Sequence, residues 1–404
     1  MTSRIGFILA VSCAWIAACG SFSSSDGEPT TSGAIDGGDG ATNSSSGADG
    51  STADGPSACI DTSNDPKNCG SCGHDCVGGM CVGGKCEPVV LATTTEPVPY
   101  LALDATRVIW MTSTPPIDKF GKVYACSRSS GCGAAPTKLA EDIKGNGFGS
   151  DGTTAWVANV STGRILRVGT AGLDDAYPSL PGKGNIVWLT PRGSKLLLNA
   201  YNENDAAPFP RTIYRVDLTQ PSFDLVAQYA PPVANADNTV FTKTHVYVAS
   251  HNNAFDIAAA PLTGGSFQTV LATDVVSTMT TDGDLVFFAN GNGGPVYACK
   301  GNGDTCGATT VLNADPGLGG AAHLLFAVEG RLFIETAGGK LVSCDPKDCP
   351  GTATVLATEQ AFATQWHFFG ANIAVDEKAV YYVAREGAAE PFTYVIKRVA
   401  REGK

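Results

Sequence analysis

Charge is scarce in this chain, and what there is leans one way. Only 16% of the 404 residues are Asp, Glu, Lys or Arg, and the formal net charge is −12. A nucleic-acid partner calls for a basic face, so the balance argues against that class. Six of the acids fall between residues 20 and 58, a stretch with no Lys or Arg, so half of the excess belongs to a solvated segment. Histidine is rare, at five residues, and no apolar run reaches the roughly twenty residues that a spanning helix needs. The sequence contains no GxSxG elbow, HExxH helix or phosphate-cradling loop. Its Gly-rich pieces, NGNGG (290–294) and GNGDTCG (301–307), have no helix after them and read as hairpin turns.

What is abundant is turn chemistry and cysteine. The chain holds 48 glycines, 23 prolines and 14 cysteines, too many turn residues for a helical protein and too much apolar content for global disorder. Cys13 and Cys19 lie at the N-terminus. Six more fall within 59–86, and the last six form three close pairs. Even numbers and short spacings imply an oxidising compartment.

Residues 1–19 carry one basic residue, Arg4, and then an apolar run, IGFILAVSCAWIAA, that ends at Cys19. Its shape is that of a signal-peptide core. The ending IAAC (16–19) resembles a bacterial lipobox. That resemblance implies cleavage before Cys19, acylation of Cys19 with palmitate-type chains, and attachment to the membrane through them. Gly20 in the next position implies, by the same resemblance, an outer-membrane or surface location in the cell envelope. Residues 20–58 hold nine glycines and ten serines and read as a disordered tether. As a flexible coil it would span ~35 Å.

Residues 59–88 contain Cys59, Cys69, Cys72, Cys76, Cys81 and Cys86. The run CGSCGHDCVGGMCVGGKC (69–86) resembles the Stig1-type Cys-rich segment, a secreted disulfide module. Three disulfides of open connectivity would replace a core too small to form. A zinc site of Cys69, Cys72, Cys76 and His74 is the rival reading. The module's expected role is a stiff spacer or a small adhesion unit.

From 89 to 404 the chain repeats. Its clearest marker is a short aromatic and β-branched strand: RVIWM (107–111), TAWVA (154–158), KLLLN (195–199), HVYVA (245–249), LVFFA (285–289), RLFIE (331–335) and VYYVA (380–384). Acidic or polar turns come before most of them, at Asp104, Asp151, Asp282, Glu329 and Asp376. Another strand precedes each turn and a third follows the marker. The unit closes with a TVLAT-like run: TKLAE (137–141), FDLVAQ (223–228), TVLAT (269–273), TVLNA (310–314), TVLAT (354–358) and a degenerate YPSL (177–180). One such run, VVLATTTEP (89–97), has no repeat before it, and the last repeat stops after three strands. Four antiparallel strands per ~45 residues is the signature of an all-β propeller. The chain predicts seven blades, with six and eight as alternatives, closed by strand 89–93 completing the last blade. The grammar of strand, Asp turn and aromatic strand resembles NHL and YVTN-type bacterial propellers. Cys126 with Cys132, Cys299 with Cys306, and Cys344 with Cys349 each bracket a turn between third and fourth strands and read as hairpin clips.

In this frame one face of the ring, here the top, gathers the loops between second and third strands and those leading into first strands. Glu203, His251, Asp256, His323 and His367 map there as candidate ligand-binding residues. Two functions follow. The first is a lipid-anchored, monomeric surface protein whose propeller binds or scaffolds a protein or glycan partner, without a cofactor. The alternative is a lyase or hydrolase using a divalent metal held by His251, His323 and His367 with Glu203 or Asp256. That histidine and glutamate usage is similar to streptogramin-lyase-type propellers.

Overall fold

The computed structural model describes residue 59 and residues 61–401, apart from 114–120, 134, 160–161, 176, 178, 181–184, 202–210, 220–221, 230–237, 250–255, 273–275, 291–294, 313–321 and 363–371. The first regular structure is a hairpin, β1 (Cys81–Val82) with β2 (Lys85–Cys86), followed by β3 (Val89–Thr94). Blade 1 is then β4 (Tyr100–Leu103), β5 (Arg107–Met111), β6 (Gly121–Ser127) and β7 (Thr137–Ile143). Blade 2 is β8 (Gly145–Ser150), β9 (Ala155–Asn159), β10 (Arg164–Val168) and β11 (Leu173–Asp175). Blade 3 runs β12 (Asn185–Arg192), β13 (Lys195–Tyr201), β14 (Arg211–Asp217) and β15 (Phe223–Tyr229). Blade 4 is β16 (Asn238–Phe241), β17 (His245–Ala249), β18 (Asp256–Pro261) and β19 (Gln268–Ala272). Blade 5 is β20 (Val276–Thr281), β21 (Leu285–Asn290), β22 (Val296–Lys300) and β23 (Thr309–Leu312). Blade 6 is β24 (Ala322–Val328), β25 (Arg331–Thr336), β26 (Lys340–Cys344) and, after a single helical turn α1 (Cys349–Thr352), β27 (Thr354–Thr358). Blade 7 has a first strand in two pieces, β28 (Ala361–Phe362) and β29 (Ile373–Val375), then β30 (Ala379–Glu386) and β31 (Thr393–Ala400). Its outer strand is β3, antiparallel to β31 with Val89 opposite Arg398 and Thr94 opposite Tyr394.

The fold is therefore a seven-bladed β-propeller closed by its N-terminal strand. The seven marker runs form the second strands, and their period of two explains why they are so apolar. On β5, Val108 and Trp110 face blade 7 while Ile109 and Met111 face blade 2. On β21, Val286 and Phe288 face blade 4 while Phe287 and Ala289 face blade 6. Each second strand is thus buried on both sides between neighbouring blades. The acidic turns also hold. One carboxylate oxygen of Asp104 accepts the N–H groups of Thr106 and Arg107, and Asp151, Asp282 and Asp376 repeat the pattern. These are Asx turns, which satisfy backbone donors where the chain reverses.

The TVLAT-like runs owe their recurrence to a β-bulge. In blades 3, 4, 5, 6 and 7 the register between third and fourth strands slips by one residue, at Val226, Val270, Val311, Leu356 and Leu91 respectively. A bulge re-aims a side chain that strict alternation would place elsewhere. Leu91, Val226 and Val270 are buried by it.

Two strands depart from the sequence reading. The outer strand of blade 2 is β11, not YPSL (177–180). Within YPSL, Leu180 is buried against blade 2 and blade 3 residues instead. The inner strand of blade 2, β8, reads GNGFGS, which has no strand pattern. Its glycines answer a packing need: a Cβ on Gly149 would lie 2.6 Å from Leu189 Cδ2 and 2.7 Å from the Leu189 carbonyl oxygen of blade 3.

All twelve described cysteines are in disulfides: Cys59–Cys72, Cys69–Cys81 and Cys76–Cys86 in the module, and Cys126–Cys132, Cys299–Cys306 and Cys344–Cys349 as hairpin clips. With their sulfurs so bonded, Cys69, Cys72 and Cys76 cannot be thiolate ligands, which overturns the zinc reading of the module. The module rests on the bottom of the ring at the seam between blades 7 and 1. His74 Nε2 is 2.7 Å from the carbonyl oxygen of Arg401, and a Cβ on Gly78 would lie 2.9 Å from Arg398 Nη2. Arg398, itself 3% exposed, donates to the carbonyls of Arg128 and Ser129 in blade 1. Arg128 pairs with Asp376 of blade 7.

Leu91→Ala would remove the bulged side chain that fills the closing interface beside Leu101, Val383 and Ile396. We expect it to cost about 2–5 kcal/mol, read as a lower denaturation midpoint by circular dichroism. An equivalent cut at exposed Leu225, 61% accessible, is expected to change little.

Candidate functional site

The first strands of the blades surround a central channel of about 310 Å³. Leu103, Leu189, Phe241, Met279, Phe326 and Val375 are among its lining residues. Polar side chains on these strands mostly serve the ring itself. Ser150 Oγ donates to the carbonyl of Leu103, and Asn238 Nδ2 donates to that of Val276 at 3.3 Å. Thr278 and Thr280 accept the N–H groups of Leu325 and Ala327 at 3.3 and 3.2 Å, joining blade 5 to blade 6. Hydroxyls and amides used in this way tie first strands of neighbouring blades together.

Of the candidate residues, Glu203, His251 and His367 lie outside the described residues, as does Cys19. Asp256 opens β18, the third strand of blade 4, and its carboxylate accepts the hydroxyl of Thr269 at 3.4 Å. His323 stands on β24, the first strand of blade 6, inside a bulge between Ala322 and Leu324. It is half-buried, and burial lowers its pKa, which favours the neutral ring. Asp256 and His323 are thus separated by the whole of blade 5, and Asp256 is two strands out from the channel. Among the described residues, these two are not brought to one point.

The structure shows an acid that the sequence reading passed over. Glu335 is the last residue of the marker run RLFIE, on β25 opposite Leu324, and it is fully buried. It shares its side of the strand with Phe333, which packs against Tyr382 of blade 7. Neither of its carboxylate oxygens has a hydrogen-bond partner among the described residues. Burial raises the pKa of Glu335 well above the ordinary value, and the Asn372 side chain, which pulls the other way, does not offset it. Close by, Tyr382 donates to Glu359 at 2.6 Å, and Glu359 also takes Lys397 at 2.7 Å. Burial, and then the Glu359 charge, raise the pKa of Tyr382. An acidic residue ending an apolar marker strand was the available signal.

No known protein-family profile matches the chain, and no curated protein matches it. Solved structures do. Virginiamycin B lyase from Staphylococcus aureus superposes with a TM-score of 0.53 at 12% identity, covering 78% of this chain and 99% of that one. YCF48 bound to a D1 peptide gives 0.51 at 12% identity, covering 78% and 95%. Oligogalacturonate lyase in complex with manganese gives 0.50 at 12% identity, covering 79% and 98%. At this identity the likeness establishes the propeller fold alone.

The Glu335 carboxyl should set a pH dependence of stability. Its folded pKa is raised, so its contribution is full below the unfolded value, about 4.3, and is lost as pH rises toward the folded value. Glu335→Met, of similar length and without a polar group, is expected to add about 1–3 kcal/mol at pH 8. The gain should shrink toward pH 4. Calorimetric melts of both proteins across that range check the expectation.

Proposed function

We propose that the chain is a lipid-anchored cell-envelope protein whose propeller is a binding or scaffolding platform for a protein or glycan. The observation that carries the platform reading is the central channel: its Ser, Asn and Thr side chains bond to neighbouring blades and keep the ring rigid. Rigid presentation suits recognition by the loops of the top face, and the module and clipped hairpins occupy the opposite one. The anchor rests on IAAC (16–19), with Cys19 as the acylated residue, and on the Gly/Ser-rich tether of 20–58. Within this reading the 59–88 segment is a Stig1-like module and the ring an NHL/YVTN-type propeller. The protein sits at the outer membrane or cell surface as a monomer without a nucleic-acid partner.

A second reading has one observation in its favour. A half-buried histidine on a channel-lining strand, His323, has its pKa lowered by burial, which favours the neutral ring that a metal ligand or a general base requires. A metal-assisted lyase or hydrolase would use it together with His251, His367 and Glu203.

The anchor is tested by mass spectrometry of the mature N-terminus after expression in a lipoprotein-exporting bacterium. We expect a peptide that begins at acylated Cys19, and loss of membrane association in Cys19→Ser; an unmodified Cys19 would contradict the proposal. The second reading is tested by elemental analysis and by melting with and without a chelator. The platform reading expects no stoichiometric metal and no shift, together with saturable, chelator-insensitive binding of an envelope glycan or exported protein. One bound divalent ion with a chelator-lowered midpoint favours the enzyme.

A further inference from the structure

Both ring nitrogens of His74 contact backbone carbonyls. Nδ1 lies 2.6 Å from the oxygen of Cys69, and Nε2 lies 2.7 Å from the oxygen of Arg401. A carbonyl oxygen can only accept, so both nitrogens must donate, and a neutral imidazole has a single N–H. The contact set is complete only for the imidazolium. We propose that His74 is a pH-sensitive latch that holds the Cys-rich module on the bottom of the ring and releases it as pH rises.

The two bonds have different jobs. The one to Cys69 is internal to the module, where the Cys69 N–H returns to the His74 carbonyl at 2.9 Å and Cys69 is tied to Cys81. That loop fixes the orientation of the ring. The bond to Arg401 crosses 327 residues of sequence and lands just past β31, the strand to which β3 pairs. Deprotonating the ring leaves one N–H for two carbonyls, and a lone pair then faces an oxygen at 2.6–2.7 Å. The internal loop is closed covalently by its disulfides, so the bond that yields is the one to the propeller.

The charges around the latch make it reversible. On the module, Asp75 is adjacent but already holds Lys67 at 2.6 Å, and Asp65 bonds Asn68. On blade 7, Lys378 is near enough to Asp75 to lower its pKa, behind the larger effect of Lys67. Arg401 is neutralised by Glu329 of blade 6 at 3.0 Å, and Arg128 of blade 1 by Asp376. Arg398 is held by the backbone carbonyls of Arg128 and Ser129. The propeller side therefore offers His74 a carbonyl dipole among cations rather than a carboxylate. Such a site binds the proton through geometry and gives it up without a salt bridge to break. Docking takes up one proton, so it is strongest at acidic pH. It weakens as pH rises.

The direct test is nitrogen-15 NMR of the histidine rings in the oxidised protein between pH 5 and 8. We expect His74 to show two protonated ring nitrogens while docked. Amide exchange, corrected for intrinsic rate, should report faster opening of 69–76 as pH rises. His74→Gln, with its disulfides verified by mass, should lose that pH dependence while β30 and β31 stay protected. An unprotonated ring nitrogen in the docked state would overturn the proposal. So would the same pH slope in His74→Gln.

Discussion

Everything in this structure depends on one strand pairing, that of Val89–Thr94 with Thr393–Ala400. A propeller is a sheet stack wrapped into a circle, and each blade buries its faces only because it has two neighbours. The last blade has three strands of its own and would end at a bare edge. β3 supplies the fourth strand, ties the start of the ring to its end, and places bulged Leu91 in the interface between blades 7 and 1. The closing contact is reinforced where it meets the bottom face. Arg128 pairs with Asp376 across the seam, Arg398 holds two blade 1 carbonyls, and the module meets Arg398 and Arg401.

The same physics accounts for the repeat's composition. Second strands are sandwiched on both faces, which demands apolar side chains at consecutive positions and gives the aromatic runs. First strands crowd around the axis, so they carry Thr, Ser and Asn able to bond to the next blade, and in blade 2 glycine where Leu189 leaves no room for a Cβ. Fourth strands lie at the rim, and in blades 3 to 7 they meet the third with a slip of one residue. The most regular signal in the sequence, the TVLAT-like run, marks that slip.

How much could be read from the residues follows from these roles. RVIWM, HVYVA and LVFFA were legible because burial on both faces leaves a dense apolar signature, and Asp104, Asp151, Asp282 and Asp376 because Asx turns need a short carboxylate. Closure by 89–93 was legible because a fourth-strand run without a blade has one economical use. GNGFGS and Leu173–Asp175 were not, since the first is selected for the absence of side chains and the second is a three-residue rim strand with two acids. Module docking was invisible because it runs through backbone carbonyls, which no residue pattern encodes. Glu335 was legible only as a lone acid ending an apolar strand, because its burial is set by the packing of blade 6 against blade 7. Asp256 and His323 were correctly placed on third and first strands, but spacing along the chain said nothing of the blade that separates them.

Function inherits this division. In the platform reading proposed above, a ring closed at its seam, with channel polar groups bonded to neighbouring blades, presents the loops that would carry recognition. The central claim is that β3 is an integral part of the ring. Native-state hydrogen exchange on the full oxidised chain tests it most directly. The account predicts that the bonded amides of Val89–Thr94 exchange with the same opening free energy as those of β31, as one cooperative unit. Exchange of β3 orders of magnitude faster, while β30 and β31 remain protected, would contradict it.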